Sequence, residues 1–343
     1  MRSFLLLITM LSCGLILKAQ DEKQPYMTRS LSNEAITDAK LETSGGGITA
    51  TGVSGNEARL EVFVTPNNNA NLSKQEIQER LDKYYTIDIS VNNHQLVAIV
   101  RQKNNINMNW KNSVSVSFKA YLPVNVNTNL ESSGGGIALS NVNGTQNFRT
   151  SGGGITVDNA KGKITGRSSG GGIKLTNSSD DIDMVTSGGG IIAKVCTGKI
   201  RLRTSGGGIQ INDLNGNVDA QTSGGGIDAD NIKGALNAGT SGGSIQLTNI
   251  WCKVEAETSG GNIDADIADA TKDVTLRNSG GSIRLQLPAG KGYNIDLGGN
   301  KIKIPLSNFS GDTEEHSIKG TLNGGGATID VRSKSGRIDV SFK

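Results

Sequence analysis

The sequence has few aromatic and few large apolar residues for its length. Phe, Tyr and Trp make up 4% of the 343 residues, and all apolar residues together make up 35%. One large globular core needs more bulky side chains than this. Glycine is abundant instead, with 47 residues, so the composition predicts a thin core that repeats along an axis.

Histidine and clustered positive charge are also scarce. The two histidines, His94 and His316, are far apart in the sequence, which argues against a His-based catalytic triad or a His-rich metal site. The formal net charge is +3, with acidic and basic residues interspersed, so no basic stripe for nucleic acid is present. The glycine-rich segments lack the Lys-Ser/Thr of a phosphate-binding loop. We therefore predict no catalytic residue, no metal site, no cofactor and no nucleic-acid partner.

Long hydrophobic runs are absent beyond the N-terminus. Met1 and Arg2 precede the mostly apolar residues 4–17, and Ala19 is a small residue before a cleavage point. This order predicts a signal peptide over residues 1–19 and export to the periplasm, the cell surface or the extracellular space. Lipid attachment at Cys13 is the alternative. No later segment has the ~20 apolar residues of a membrane-spanning helix.

A five-residue word, Ser-Gly-Gly-Gly-Ile, is repeated along the chain. Eight copies, the last two with Ser or Asn in place of the third Gly, begin 18 residues apart at Ser133, Ser151, Ser169, Ser187, Ser205, Ser223, Ser241 and Ser259. The next copy, at Ser279, follows after 20 residues, so one unit carries a two-residue insertion. An early copy occupies residues 44–48, and a degenerate copy occupies residues 335–340. Such self-similarity indicates a stacked repeat architecture.

Three columns of apolar residues recur within the 18-residue unit. Ile ends every regular word, and an apolar residue follows two positions later, which predicts a short strand with one face inward. Two more inward columns begin with Val142, Ala160 and Ser178, and with Ile164, Ile182 and Ile200. The predicted fold is therefore all-β, a single-stranded β-solenoid (β-helix) whose 18-residue coils hydrogen-bond to their neighbours.

Two columns of turn residues separate these strands. Asn or Asp, which tolerates left-handed backbone and can bond to the same residue one coil away, recurs at Asn141, Asn159, Asn177, Asp213, Asn231 and Asn249. Gly recurs three positions later. Both columns are predicted to be structural.

The Ser-Gly-Gly-Gly edge has two interpretations. Glycine is unfavourable in a strand, so this corner is either very tight or forms a flat strip where a partner backbone or a sugar ring can approach closely. A column of threonines adjoins it and is interpreted as a hydroxyl ladder at ~4.8 Å spacing, at Thr150, Thr186, Thr204, Thr222, Thr240 and Thr258.

Cys196 and Cys252 are predicted to be free thiols. Their positions in the repeat lie three coils apart, or ~14 Å along the axis at the usual strand spacing. A disulfide needs Cα atoms within ~7 Å. Cys196 is further predicted to be a small core residue.

Outside the regular repeats the chain divides into four further segments. Residues 20–40 are predicted to be a polar leader. Residues 41–130 are predicted to be an N-terminal β-rich cap with a helix at 73–84, where Ser73 and Glu76 have capping-box spacing. The regular solenoid is placed at residues 131–284 and irregular C-terminal coils at 285–343.

An enzymatic alternative rests on carboxylates that share a column. Asp228 and Asp264 are two coils apart, as are Asp230 and Asp266. A separation of ~10 Å slightly exceeds the range of about 6.5–9.5 Å that inverting glycosidases use. We therefore predict no enzymatic activity.

The order of the segments resembles the bacterial family named "putative adhesin". Residues 115–124, which end in Tyr-Leu-Pro-Val, precede the serial Ser-Gly-Gly-Gly-Ile words, and Leu-Pro-Ala-Gly follows at residues 287–290. The likeness covers most of residues 41–343 and implies an exported single-chain β-helix without defined catalytic residues.

The sequence thus predicts a non-catalytic adhesin or envelope-associated binding module, with a surface glycan or an envelope protein as its partner. A self-assembling scaffold and a polysaccharide-active enzyme remain alternatives. The N-terminal cap favours the adhesin over the scaffold because capping blocks end-on growth.

Overall fold

A computed structural model describes residues 24–343 except 69–70 and 105–108. The predicted signal peptide and Cys13 lie outside these residues. The described part contains 24 strands, one α-helix and two 3-10 turns, at Gly55–Glu57 and Trp110–Asn112.

The strands of the N-terminal part flank the single helix, α1 (Lys74–Tyr84). They are β1 (Met27–Ser30), β2 (Asp38–Thr43), β3 (Ile48–Val53), β4 (Arg59–Pro66), β5 (Tyr85–Asn92), β6 (Gln95–Gln102), β7 (Val114–Pro123) and β8 (Asn127–Ser132). The regular part contains β9 (Ile137–Thr150), β10 (Ile155–Ser168), β11 (Ile173–Thr176), β12 (Ser179–Thr186), β13 (Ile191–Lys194), β14 (Thr197–Thr204), β15 (Ile209–Thr222), β16 (Ile227–Thr240) and β17 (Ile245–Thr258). The remaining strands are β18 (Ile263–Ile267), β19 (Val274–Asn278), β20 (Ile283–Leu287), β21 (Tyr293–Lys303), β22 (Phe309–Thr313), β23 (Ser317–Leu322) and β24 (Ala327–Phe342).

Parallel pairing at an 18-residue interval builds the regular part. Ile155 lies opposite Ile137 in one neighbouring coil and opposite Ile173 in the other. The same interval holds from β9 to β17, which confirms the predicted register. The three predicted inward columns are buried, including Ile164 and Cys196. The chain is therefore an all-β protein with a solenoid-like stack.

The turn columns adopt the backbone that their residue types predict. The residues of the Asn column have φ between 50° and 59°. Asn159 Nδ2 donates to Asn141 Oδ1 at 2.8 Å, and Asn231 Nδ2 donates to Asp213 Oδ1 at 2.6 Å. At these two places the column bonds to the same position one coil earlier. Gly144 and Gly162 of the glycine column also have positive φ, at 132° and 109°.

At the N-terminal end, the order of strands in the stack differs from their order in the chain. β2 lies between β6 and β8, and β3 lies between β7 and β9. The predicted helix is present: Ser73 is its N-cap and forms a capping box with Glu76. Leu81 and Tyr84 of α1 are buried against the strands.

Of the expected polar leader at residues 20–40, the described part (24–40) differs from the prediction. From Met27 onward they supply β1 and the start of β2, and Leu31 and Ile36 are buried. Ala39 is buried as well, whereas Met27 is 37% exposed, so the segment contributes a few residues to the core.

The C-terminal end also departs from chain order. β24 is inserted in parallel between β19 and β20 on one side and β21 on the other. The degenerate copy therefore stacks on the copy at Ser279, with Ile338 opposite Ile283. β1, β5 and β22 each pair with one neighbour only, and that pairing is antiparallel. No helix in the described range is long and apolar enough to cross a membrane.

Candidate binding groove

The threonine column beside the glycine words is buried, contrary to the predicted hydroxyl ladder. Each of the six hydroxyls donates to a glycine carbonyl at 2.7 or 2.8 Å. The Thr204 hydroxyl, for example, bonds to Gly189 O and accepts from Gly207 N. These hydroxyls bond each coil to its neighbour at the glycine corner. Because they are buried, they are not a binding surface.

The middle glycine of each word is required by close packing. A Cβ on Gly171 would lie 2.2 Å from the carbonyl oxygen of Gly153, far inside van der Waals contact. The first and third glycines leave more room: a Cβ on Gly170 would lie 3.3 Å from Gly152 O, and one on Gly208 would lie 3.1 Å from Gly226 O. The tight-corner interpretation is therefore correct for the middle glycine.

The third glycines form the floor of a groove of about 650 Å³ that runs along the stack. Gly172, Gly190, Gly208 and Gly226 line it, and Ser244 takes the same position at one end. From Ile155 to Gln246 the groove crosses five coil steps, on the order of 24 Å at ~4.8 Å per strand. A strip without side chains is thus a real surface feature of the stack.

One wall of the groove changes its chemistry from coil to coil. The outward residue after each Ile lines this wall, and these residues are Thr156, Lys174, Ile192, Gln210, Asp228 and Gln246. Five are polar, whereas Ile192 is apolar and 37% exposed. The groove therefore combines a floor of bare backbone with a wall of hydrogen-bonding side chains, which include the cation Lys174 and the anion Asp228.

Comparison with known protein families assigns the chain to one of them. The profile of the family described as Toastrack DUF4097 matches residues 17–341. The chain belongs to this family. No curated protein matches the sequence. Among solved structures, a protein described as a "putative cell adhesion protein" from Clostridium sporogenes ATCC 15579 is 12% identical, with 92% of this chain and 98% of that chain covered and a TM-score of 0.22.

The carboxylates of the enzymatic alternative occupy the predicted columns of this Toastrack chain. Asp228 and Asp264 both lie opposite Gln246, one coil to each side. Asp264 forms an ion pair with Arg284 at 3.0 Å, and Asp266 forms one with Lys343. Asp230 accepts from Asn249 Nδ2 at 3.0 Å. Three of the four carboxylates therefore have partners within the stack.

Metal-ligating side chains and the two cysteines were the other candidates for a functional site. Within the described ranges of this Toastrack protein, no three His, Cys, Asp or Glu residues are grouped closely enough to hold a metal ion. Cys196 and Cys252 are both free, as predicted. Burial raises the pKa of both thiols, that of Cys252 to about 12.

Two exposed apolar residues of the Toastrack chain were missed by the sequence reasoning. Trp251 is 48% exposed and Val195 is 55% exposed. Val195 has a φ of 54°, because it occupies the position that Asn177 and Asp213 hold in the adjacent coils. Reading each column for its one exceptional residue would have found both.

Proposed function

We propose that this chain is a non-catalytic, single-chain β-solenoid that is exported to the cell envelope and binds an extended surface glycan along the glycine groove. The signal-peptide pattern of residues 1–19 supports export. The groove is the observation that carries the binding proposal, since it is long, side-chain-poor and bordered by polar groups. The order of segments in the sequence resembles that of the putative adhesin family, and this resemblance supports a role in binding.

A glycan fits the groove better than an extended polypeptide does. The floor carbonyls are already used within the stack: Ile173 N donates to Gly190 O at 2.9 Å and Ile191 N to Gly208 O at 3.0 Å. A peptide that adds to a sheet takes its affinity from free main-chain groups at an edge. A sugar needs only a surface to lie on and side-chain partners for its hydroxyls. Lys174, Gln210 and Asp228 supply such donors and acceptors along the wall.

The two ends of the stack favour a single binding module over a self-assembling scaffold. End-to-end growth would continue the parallel ladders, but the outermost strands β1, β5 and β22 are antiparallel to their neighbours. β22 is also mostly exposed and contains Gly311 and Asp312, features that discourage edge pairing. Light scattering should therefore show a constant mass across concentration, and growth into filaments would favour the scaffold instead.

The groove is tested by filling its floor with a side chain that the stack already accepts. Asn262 and Ser244 occupy the third-glycine position in later coils, so Gly208→Asn should fold. We expect a glycan-array screen of the wild type to identify a surface polysaccharide. Binding to that polysaccharide should weaken at least tenfold in Gly208→Asn.

Gly136→Asn is the matched control. Gly136 holds the same position of the word, is exposed and lies outside the groove. Its Cβ would approach Gly154 O at 3.3 Å, a clearance similar to that at Gly208. Equal loss of binding in both variants, or an array without any bound glycan, would refute the groove as a glycan site.

A further inference from the structure

Trp251 is the exception in a column of polar residues. The same position in the preceding coils holds Lys161, Ser179, Thr197, Asn215 and Lys233. The chain has two tryptophans in 343 residues, and this one leaves about half of its surface in solvent. An exposed apolar residue alone is ordinary, so its surroundings decide what it means.

Trp251 faces outward like the other residues of its column, but the corner that follows it differs from the earlier coils. The next residue, Cys252, replaces the turn glycine and lies opposite Gly234. Gly234 has a φ of 101°, whereas Cys252 is not among the positive-φ residues, and its side chain is buried. The strand therefore continues through this corner with strict alternation, Trp251 outside and Cys252 inside.

Trp251 lines a cavity of about 670 Å³. The interval between paired residues rises from 17 at Ile250 to 20 at Val254, and residues 268–273 form a loop there. Residues 268–271 of this loop line the cavity with Trp251. Pro288, Lys291 and Ala327 from the C-terminal segments form the opposite wall. The volume falls in the range of about 300–1,000 Å³ that is typical of small-ligand sites.

Charged groups of both signs line the cavity with Trp251. Thr271 donates to Asp269 Oδ1 through its backbone N–H at 2.9 Å and its hydroxyl at 2.7 Å. These bonds fix the carboxylate and use only part of its accepting capacity of about four lone pairs. Asn323 Nδ2 donates to the carbonyl of Lys291 at 2.9 Å and so holds the opposite loop.

We propose that this cavity is a saccharide-binding site, in which a sugar ring stacks on the indole of Trp251 while Asp269 and Lys291 bond to its hydroxyls. A sugar ring has apolar C–H faces and hydroxyl groups around its edge. Its C–H face can stack on the indole, and its hydroxyls can bond to the nearby acceptor and donor. A quaternary ammonium ligand would instead require several aromatic residues around it, and among the described residues that line this cavity Trp251 is the one aromatic side chain. The site shares no lining residue with the glycine groove, so it does not depend on the function proposed for that groove.

Saturation-transfer NMR on the intact protein tests this site. The probes are methyl glycosides and short oligomers of neutral hexoses, N-acetylhexosamines and uronic acids. We expect at least one to bind the wild type. Its affinity should fall at least tenfold in Trp251→Lys and by a smaller factor in Asp269→Asn. The stack should tolerate Trp251→Lys because Lys233 occupies the same position one coil earlier.

Two controls distinguish this site from the groove. Lys233→Ala, in the same column, and Gly208→Asn, in the groove, should both bind the probe as the wild type does. Loss of binding in Gly208→Asn with retention in Trp251→Lys would place the sugar in the groove and overturn the Trp251 site. A wild type that binds no saccharide of the panel would overturn it as well.

Discussion

The backbone of Gly171 lies so close to the backbone of Gly153 that a Cβ on Gly171 would come 2.2 Å from the Gly153 carbonyl oxygen. Gly153 has the same relationship to Gly135 one coil earlier. None of the three has a positive φ. The middle column is therefore glycine because adjacent coils touch backbone to backbone, and not because the chain turns there in a left-handed conformation.

Gly171→Ala should therefore be strongly destabilising. Relief of the clash requires the two coils to separate, and overpacking of a rigid interior typically costs 1–3 kcal/mol, sometimes more. We expect a loss of about 3 kcal/mol in the free energy of unfolding, measured by urea denaturation. Gly170→Ala, whose Cβ would lie 3.3 Å from Gly152 O, should cost less than half as much. Equal effects of the two substitutions would contradict the packing explanation.

Val195→Asn should stabilise the protein. A left-handed backbone is costly for a β-branched residue and cheaper for Asn, and Asn177 already holds this position at a φ of 52°. The expected gain is about 1 kcal/mol, seen as a higher denaturation midpoint with an unchanged slope. The reverse change, Asn159→Val, should lower stability, because it also removes the 2.8 Å bond to Asn141 Oδ1. A neutral or destabilising Val195→Asn would show that Val195 has contacts that offset its strain.

Thr204→Val tests the role of the buried threonines. Val keeps the shape of Thr but removes the donor to Gly189 O and the acceptor for Gly207 N. Buried polar groups left without partners cost about 1–3 kcal/mol, so the unfolding free energy should fall by that amount. Thr156→Val, at the exposed wall of the groove, should change stability by less than about 0.5 kcal/mol. Similar effects at both positions would mean that the buried hydroxyl bonds contribute little.

Much of the regular part could be predicted because the same positions must be apolar and buried in every coil. Ile155 and Ile173 share a column, and a one-residue slip would expose both. The capping box at Ser73 and Glu76 likewise identified α1 from local chemistry alone. The buried threonines could also have been found, since Thr204 has the same alternation as the inward residues Ile200 and Leu202. Their polarity concealed this pattern.

The ends and the cavity could not be predicted in the same way. Ile48 pairs with Ile137 across residues 49–136, and β24 enters the stack before β21, although it follows β21 in the chain. All these strands alternate inward apolar and outward polar residues in the same way. This pattern therefore does not specify which strands are neighbours. The Trp251 cavity depends on that order, because its lining residues come from four separate segments of the chain.

The two buried thiols should react slowly with alkylating reagents in the folded protein. Burial raises the pKa of Cys252 to about 12 from an ordinary value of 9.0. At pH 8, its thiolate fraction is therefore about a thousandfold lower than in an unfolded chain, since each pKa unit is tenfold. Iodoacetamide should leave the peptides containing Cys196 and Cys252 unmodified in the native protein, and should modify both in guanidinium without any reductant. Modification of neither in guanidinium would reveal a disulfide and would contradict the predicted three-coil spacing of the two cysteines.

The raised pKa of Cys252 also has a consequence for the dependence of stability on pH. Between pH 9 and 12 the unfolded chain releases a proton that folded Cys252 retains, so this group's contribution is complete below pH 9 and declines as the pH rises toward 12. Cys252→Ala should flatten the decline in unfolding free energy over that interval, and an unaltered pH profile would mean that the thiol is accessible to solvent.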